Sequence, residues 1–256
     1  MTDFKNKRVW LVGASEGIGR CLAKKLAKAG ASLILSARNE DRLRSLLEEI
    51  DGQQHLILPL DATKKESIEK VWNEIQSLNA IPDIFIYNSG YYEPMSATNF
   101  DFDIIKKMLD INLYGAFSTL AKIIPAFIQN HKGHIVLVGS IAGYVGLPRS
   151  IGYGASKAGI INLAESLNCD LNKQGIRVQV VNPGFVKTRL TDKNTFDMPF
   201  IITADEAATY IFKGLCSSSF EIRFPWLFST LLKILRFFPY RLYFFLLQGL
   251  SRNTSS

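Results

Sequence analysis

Residues 152–159 read GYGASKAG, which sets Tyr153 and Lys157 four apart, a spacing that puts both side chains on one face of a helix where they can meet. A phenol with a reference pKa of about 10 is a weak acid–base group at neutral pH. A neighbouring ammonium favours the phenolate, and a shift of about three units represents roughly 4 kcal/mol. A tyrosine tuned in that way can give a proton to a carbonyl oxygen or take one from an alcohol. Ser140, in VGSIAG, falls where a strand-like run ends and could hold the same oxygen by hydrogen bond. Tyr-x-x-x-Lys pairs also arise on helix surfaces that do no chemistry, so the surroundings must decide. Gly154, Ala155, Ala158 and Gly159 leave this helix little bulk, suited to close approach by a ligand or another helix.

A second chemical signal lies near the N-terminus. VGASEGIGR carries Gly13, Gly17 and Gly19, with Ser15 and Ile18 on the same turn, directly after one apolar run and at the start of a helical one. Glycines so placed allow a sharp turn, close backbone approach to a pyrophosphate and tight helix–sheet packing, with the phosphates at the positive end of the helix. The spacing is G-x-x-x-G-x-G rather than the general G-x-G-x-x-G, and a purely structural turn is the alternative. The end of the next apolar run reads Ser36-Ala37-Arg38-Asn39, with no acid until Glu40 and Asp41. An acid there accepts the ribose hydroxyls of NAD, whereas an arginine accommodates the 2′-phosphate of NADP, so Arg38 points to NADP(H) with NAD(H) as the alternative. Arg38 as a plain solvated cation stays open.

These residues need elements to hold them. Residues 8–13, 32–36, 55–60, 83–88, 134–139 and 177–182 are continuous apolar runs, the pattern of strands covered on both faces, and 220–224 reads as a seventh. Between them, residues 16–30, 40–50, 64–78, 101–130 and 153–175 repeat apolar residues at three- and four-residue spacing, several closing on glycine. Strand–helix alternation of this kind predicts right-handed crossovers and a single doubly wound, Rossmann-type parallel sheet of about seven strands with helices on both faces.

At 256 residues, with 47% apolar and 21% charged residues, the chain is sized for one domain and has the composition of a folded one. Cys21, Cys169 and Cys216 are far apart and odd in number, which fits reduced thiols in a cytosolic compartment. No metal-ligand spacing appears; His131 and His134 flank a predicted turn with no third ligand nearby. MTDFKNKRVW holds no apolar segment before the first strand, which argues against a signal peptide. The net charge of +7 is concentrated at the end: Arg223, Lys233, Arg236, Arg241 and Arg252 have no acid among them, and the other 25 cations face 23 acids. That distribution argues against a nucleic-acid surface over the fold.

Taken together, the motifs of residues 6–224 resemble those of the short-chain dehydrogenase/reductase family. The resemblance implies an oxidoreductase that uses a nicotinamide dinucleotide to interconvert a ketone or aldehyde with an alcohol, the preference for NADP resting on Arg38 alone. It implies that Asn112, Ser140, Tyr153 and Lys157 form the catalytic set, with Lys157 also reaching the ribose and Asn112 linking it to solvent. It implies that Asp61 contacts the adenine, that Asn88-Ser89-Gly90 forms a turn beside the cofactor, and that Pro183, Gly184, Val186 and Thr188 cover the nicotinamide. Val12 and Ser89 depart from the family's usual Thr and Ala, and Glu16 stands where NADP-using members often carry a base. A member that keeps the fold as a silent dinucleotide sensor or scaffold is the alternative.

The family's substrate lid falls on residues 189–203, made apolar by Phe196, Met198, Pro199 and Phe200. Tyr91, Tyr92 and Met95 are expected on the same rim, with Leu147 and Ile151 opposite, which implies a hydrophobic or lipid-like substrate. The predicted domain, residues 1–224, is followed by an apolar, basic helical tail, 225–256. Its charges and Pro239 interrupt it too often for a membrane span, which takes about 20 mainly apolar residues. At a helical period, Leu227, Phe228, Leu231, Leu232, Ile234, Leu235 and Phe238 gather on one side of the tail, and Ser229, Lys233 and Arg236 on the other. Two readings follow: the tail lies on the cytosolic face of a membrane, cations toward headgroups, or it packs on a second subunit or over its own cleft. Family members commonly form homodimers or homotetramers.

Overall fold

The structure, a computed structural model, describes residues 4–52, 54–194 and 197–252. Seven strands form one sheet: β1 (Arg8–Val12), β2 (Ser32–Ser36), β3 (Leu56–Ile57), β4 (Ile84–Tyr87), β5 (Gly133–Val138), β6 (Ile176–Pro183) and, at the far edge, β9 (Glu221–Phe224). Their spatial order is β3-β2-β1-β4-β5-β6-β9, and every pairing is parallel. Helices α1 (Gly17–Lys28), α2 (Glu40–Leu47), α3 (Lys65–Ser77), α4 (Phe102–Leu109), α5 (Gly115–Gln129) and α6 (Ile151–Leu171) are the crossovers.

The strands are apolar throughout because both faces are covered. In β1, Val9 and Leu11 join a core with Leu22, Leu26 and Ile211, whereas Trp10 and Val12 join the opposite one with Trp72, Phe127 and Ile160. Trp10 keeps its one polar atom satisfied by donating from Nε1 to Ser36 Oγ at 3.0 Å. Strand order reverses between β2 and β4 on either side of β1, which opens a crevice at the carboxyl ends of these strands.

Three features differ from the sequence pattern. The third strand pairs only over Leu56–Ile57, although Leu58 and Leu60 N–H still donate to Leu35 and Ala37 carbonyls. The long helical segment is divided: residues Asp110–Tyr114 form a π-helical turn between α4 and α5, a device that re-aims side chains at functional sites. Helix α7 (Ala204–Leu215) follows the short ribbon β7 (Val186–Lys187) and β8 (Ile202–Thr203). Its start is announced by a capping box, Thr203 with Glu206, that could have been read in the sequence.

The tail folds as α8 (Trp226–Leu235) and α9 (Tyr240–Arg252). Both pack on the loop after β5: Leu232 lies with Ile141 and Tyr144, and Leu235, Tyr243 and Leu247 lie with Val145 and Leu147. Tyr243 donates its hydroxyl to the Gly146 carbonyl at 2.5 Å. The structure decides what the helical pattern left open, which residues of α8 face inward. Ser229 is fully buried and Lys233 turns inward to pair with Glu221, while Leu227, Leu231, Ile234 and Phe238 are exposed.

Candidate active site

The crevice at the strand ends is a cleft of about 750 Å³. At one end lies the glycine turn. Gly13 and Gly17 adopt left-handed backbone (φ +88° and +54°) that other residues rarely take. A Cβ on Gly13 would sit 2.7 Å from the Ser89 backbone nitrogen, and one on Gly19 would overlap the Gly13 carbonyl oxygen. Asn88 locks the two turns together by donating from Nδ2 to that carbonyl at 2.9 Å. Thr188 closes the turn from the far side, its methyl 3.2 Å from where a Gly17 Cβ would be. The missing side chains therefore let the glycine turn, the Asn88-Ser89 turn and Thr188 pack closely into a backbone-walled cradle at this end of the cleft.

Beside the cradle, Ser15, Ile18, Arg38 and Asp61 line the cleft as expected, together with Arg42 and Arg189, which the sequence reading did not single out. Glu16 pairs with Arg42, and with Arg189 at 3.3 Å. Three arginines thus rim this end, one carboxylate holding two of them. Burial alone would raise the Asp61 carboxyl; hydrogen bonds from Thr63 and the charge of Arg38 outweigh it, leaving the group below its ordinary value.

At the other end, α6 delivers Tyr153 and Lys157 to the same cleft that Ser140 enters from the end of β5. The Tyr153 hydroxyl is hydrogen-bonded to Ser140. Lys157 is buried, its Nζ donating to the Val138 carbonyl at 2.8 Å and lying 5.8 Å from the Tyr153 ring centroid. The expected lowering of the phenol by the ammonium is not what these side chains produce. Burial pushes Tyr153 up to about 12 despite the bond with Ser140, and burial brings Lys157 down to about 8. Tyr153 is thus a neutral hydroxyl at neutral pH.

Asn112 stands in the π-helical turn, fully buried. Its side chain meets the Tyr91 backbone and donates to Ser156 Oγ at 2.9 Å, and Ser156 in turn donates to the Tyr153 carbonyl at 2.7 Å. Among the described contacts Asn112 does not touch Lys157; both approach Gly90, each 3.8 Å from where its Cβ would be. Its observed work is to tie the β4 loop to α6. Ser156, one turn past Tyr153, was missed in the sequence.

Pro183, Gly184, Val186 and Thr188 line the cleft opposite the glycine turn. Of the substrate-side expectations, Tyr92 and Leu147 line it too, with the Tyr92 ring edge-on to Tyr153 at 4.9 Å. Tyr91, Ile151, Met198 and Phe200 are not among the lining residues. Tyr91 is drawn outward by a hydrogen bond to Glu93 and by Lys107 and Lys193 over its ring, and Ile151 and Phe200 are exposed. Met198 instead accepts from Asn194, which itself holds the Tyr92 hydroxyl at 2.7 Å. Phe196 lies outside the described residues. The apolar wall comes from elsewhere: Ile141, Phe185, Leu190 and, from the tail, Phe228, whose ring lies 6.1 Å from that of Phe185.

A cradle for a dinucleotide and a serine–tyrosine–lysine cluster on one parallel sheet is a combination that comparison can test. The profile of the short chain dehydrogenase family matches residues 7–198. The chain belongs to that family. An uncharacterised oxidoreductase of Myxococcus xanthus is 32% identical over 244 residues, covering 93% of this chain and 95% of its own. A short-chain dehydrogenase from Sphingobium yanoikuyae, solved in complex with NADPH, is 27% identical with a TM-score of 0.79, covering 86% of this chain and 88% of its own. A short-chain dehydrogenase from Streptomyces avermitilis shares the fold at 19% identity and a TM-score of 0.80, covering 96% of this chain and 98% of its own. The protein is therefore a short-chain oxidoreductase whose cleft is built for a nicotinamide dinucleotide.

Proposed function

We propose that this short-chain dehydrogenase is an NADP(H)-dependent reductase of hydrophobic ketones or aldehydes. The observation that carries the reading is the Ser140–Tyr153–Lys157 cluster, with a neutral phenol held by a serine hydroxyl beside an apolar wall. NADP(H), when bound, supplies the hydride for the carbonyl carbon. Ser140 and Tyr153 hold the carbonyl oxygen, and Tyr153 gives it a proton as negative charge develops there. The Lys157 ammonium stabilises the phenolate left behind until a proton from solvent restores the hydroxyl, and Asn112 with Ser156 fixes the angle at which α6 meets the β4 loop.

Arg38, Arg42 and Arg189 around the cradle support a 2′-phosphate, as does the NADPH bound by the Sphingobium relative. Phe185, Leu190, Phe228, Ile141 and Leu147 support an apolar, lipid-like substrate. For assembly we infer a homodimer or homotetramer, supported by the exposed Phe102, Tyr114, Phe117 and Ile128 along α4–α5. For location we infer the cytoplasm, on the cytosolic face of a membrane. The decisive assay follows NADPH oxidation by the full chain with carbonyls of increasing chain length. A kcat/KM that climbs with length, lost in Tyr153→Phe with NADPH binding retained, supports the reading. Undiminished turnover by Tyr153→Phe overturns the role of Tyr153, and activity confined to short polar carbonyls overturns the substrate class.

A further inference from the structure

The tail buries one apolar side and presents a second to solvent. On α8, Leu227, Leu231 and Ile234 follow one another at helical spacing and all are exposed, as is Phe238 just past its end. Beyond them, Phe237 is 87% exposed and Phe245 72% exposed, with Trp226, Tyr240 and Phe244 also outward. Because α8 and α9 both seat their inner sides on the loop around Val145 and Leu147, these outward residues share one side of the molecule. An isolated exposed leucine needs no explanation, but a contiguous patch of this kind marks an interaction surface.

The charges on the patch select the partner. Arg223 and Lys233 are engaged inward, with Thr230 and Glu221, so they are not part of it. Arg236 and Arg241 are exposed among the aromatics, and residues 225–256 contain no acid. A second copy meeting this face would set arginine against arginine with no carboxylate to pair. An anionic bilayer complements it: headgroups for the arginines, acyl chains for Leu231, Ile234, Phe237 and Phe245, and the boundary between for Trp226 and Tyr240. Helices of 10 and 13 residues are too short to cross a bilayer and suited to lie in its surface.

We propose that the outward face of α8–α9 docks on an anionic lipid surface, and that docking sets the cleft against lipid. Phe228, on the inner side of the same helix, lines the cleft and packs 6.2 Å from Phe200 of the lid segment. One helix therefore separates the lipid-facing patch from the substrate wall, and an apolar carbonyl can pass from one to the other without crossing bulk water. The docking needs no turnover; only its purpose rests on the reductase reading.

The test is co-sedimentation of the full chain with vesicles of phosphatidylserine and phosphatidylcholine in equal parts, and with phosphatidylcholine alone. The full chain sediments with the anionic vesicles. Phe237→Ser/Phe245→Ser lowers the partition about tenfold or more, and Arg236→Gln/Arg241→Gln removes the preference for anionic lipid. Both variants keep the circular dichroism spectrum and the NADPH oxidation rate on a water-soluble carbonyl. A full chain that stays in the supernatant, or a phenylalanine variant that sediments unchanged, overturns the proposal. So does a variant that changes only sedimentation velocity, from oligomer to smaller species, which assigns the face to a second copy. Vesicle binding without NADPH oxidation leaves the docking standing and fails the reductase reading alone.

Discussion

Asn112 brackets the main chain of Tyr91, accepting from its N–H at 2.6 Å and donating to its carbonyl at 2.9 Å. One amide side chain does for the β4 loop what a strand partner would do, and its third bond, to Ser156, reaches the helix that carries Tyr153 and Lys157. The loop after β4 and the helix that bears Tyr153 and Lys157 are therefore tied through one side chain.

Asn112→Ala leaves the half-buried Tyr91 N–H and carbonyl without their side-chain partner and Ser156 with only its bond to the Tyr153 carbonyl, each lost bond worth about 1 kcal/mol or more. Thermal unfolding should shift down by roughly 5–10 °C for a domain of this size. Because Asn112 acts here through position, kcat should fall by about tenfold or more while the NADPH dissociation constant, read by fluorescence titration, stays within about twofold. Equal losses in both would mean that the cradle, not the loop, depends on it.

The cofactor end makes a paired prediction. Arg38→Leu should raise KM for NADPH about tenfold and leave KM for NADH unchanged, since a lost phosphate contact is worth about 1–2 kcal/mol at an exposed site. Glu16→Gln should act in the opposite direction, because Glu16 holds Arg42 and Arg189 away from an incoming phosphate. Steady-state kinetics with both nucleotides distinguish these outcomes, and an NADH effect equal to the NADPH effect would remove the 2′-phosphate from the account.

Lys157 predicts how activity and stability respond to pH. Its folded value of about 8 lies below the ordinary 10.5. The folded protein therefore holds a buried charge at a cost below about 8, and stability rises as pH climbs from about 8 toward 10.5, where the unfolded chain binds more protons. Carbonyl reduction should be flat on the acid side and fall through one inflection near 8 as the ammonium is lost, with the inflection absent in Lys157→Arg. Lys157→Met should abolish turnover yet raise the melting temperature at pH 7 by about 2–6 °C, the relieved charge outweighing the unpaired Val138 carbonyl.

Glu221 joins the tail to the sheet edge. It accepts from Tyr144 at 2.6 Å and Asn182 at 2.8 Å and pairs with Lys233. Burial raises its carboxyl, but Lys233 and the two hydrogen bonds lower it further, so the folded value lies below the ordinary 4.5. Its contribution is present above about 4.5 and is lost as pH falls through the folded value. Glu221→Ala should cost about 1–3 kcal/mol and loosen α8, seen as faster proteolysis after residue 225 and a higher KM for long-chain carbonyls with short ones unaffected.

The fold was legible because its strands are buried on both faces. Runs such as residues 8–13 and 134–139 have no polar interruption to confuse strand with loop, and the helices between them keep their period. The glycine turn and the tyrosine–lysine spacing were legible for a related reason: each depends on local geometry that only certain residues permit. Asn112 stood out in the sequence only through the family resemblance; its partners, Tyr91 and Ser156, are 21 and 44 positions away and left no mark on its neighbourhood. The π-helical turn that aims it is likewise invisible in a periodic pattern that tolerates one extra residue.

The substrate wall was the least legible part. A lid is apolar whether it faces a ligand or packs on its neighbours, and Met198 and Phe200 proved not to line the cleft. Phe228 does, although it belongs to a tail that begins after the last strand.

By itself the sequence determined the order of strands and helices, the residue types at the glycine turn and in the Ser140–Tyr153–Lys157 cluster, and the excess of cations near the end. The tertiary structure alone decided which side of α8 faces inward. A helical pattern records that two sides differ in polarity, not which side meets a partner. Here Glu221 at the sheet edge and Tyr144 after β5 meet Lys233 with a carboxylate and a ring, Leu232 and Leu235 seat on the loop after β5, and Leu227, Leu231 and Ile234 are left outward.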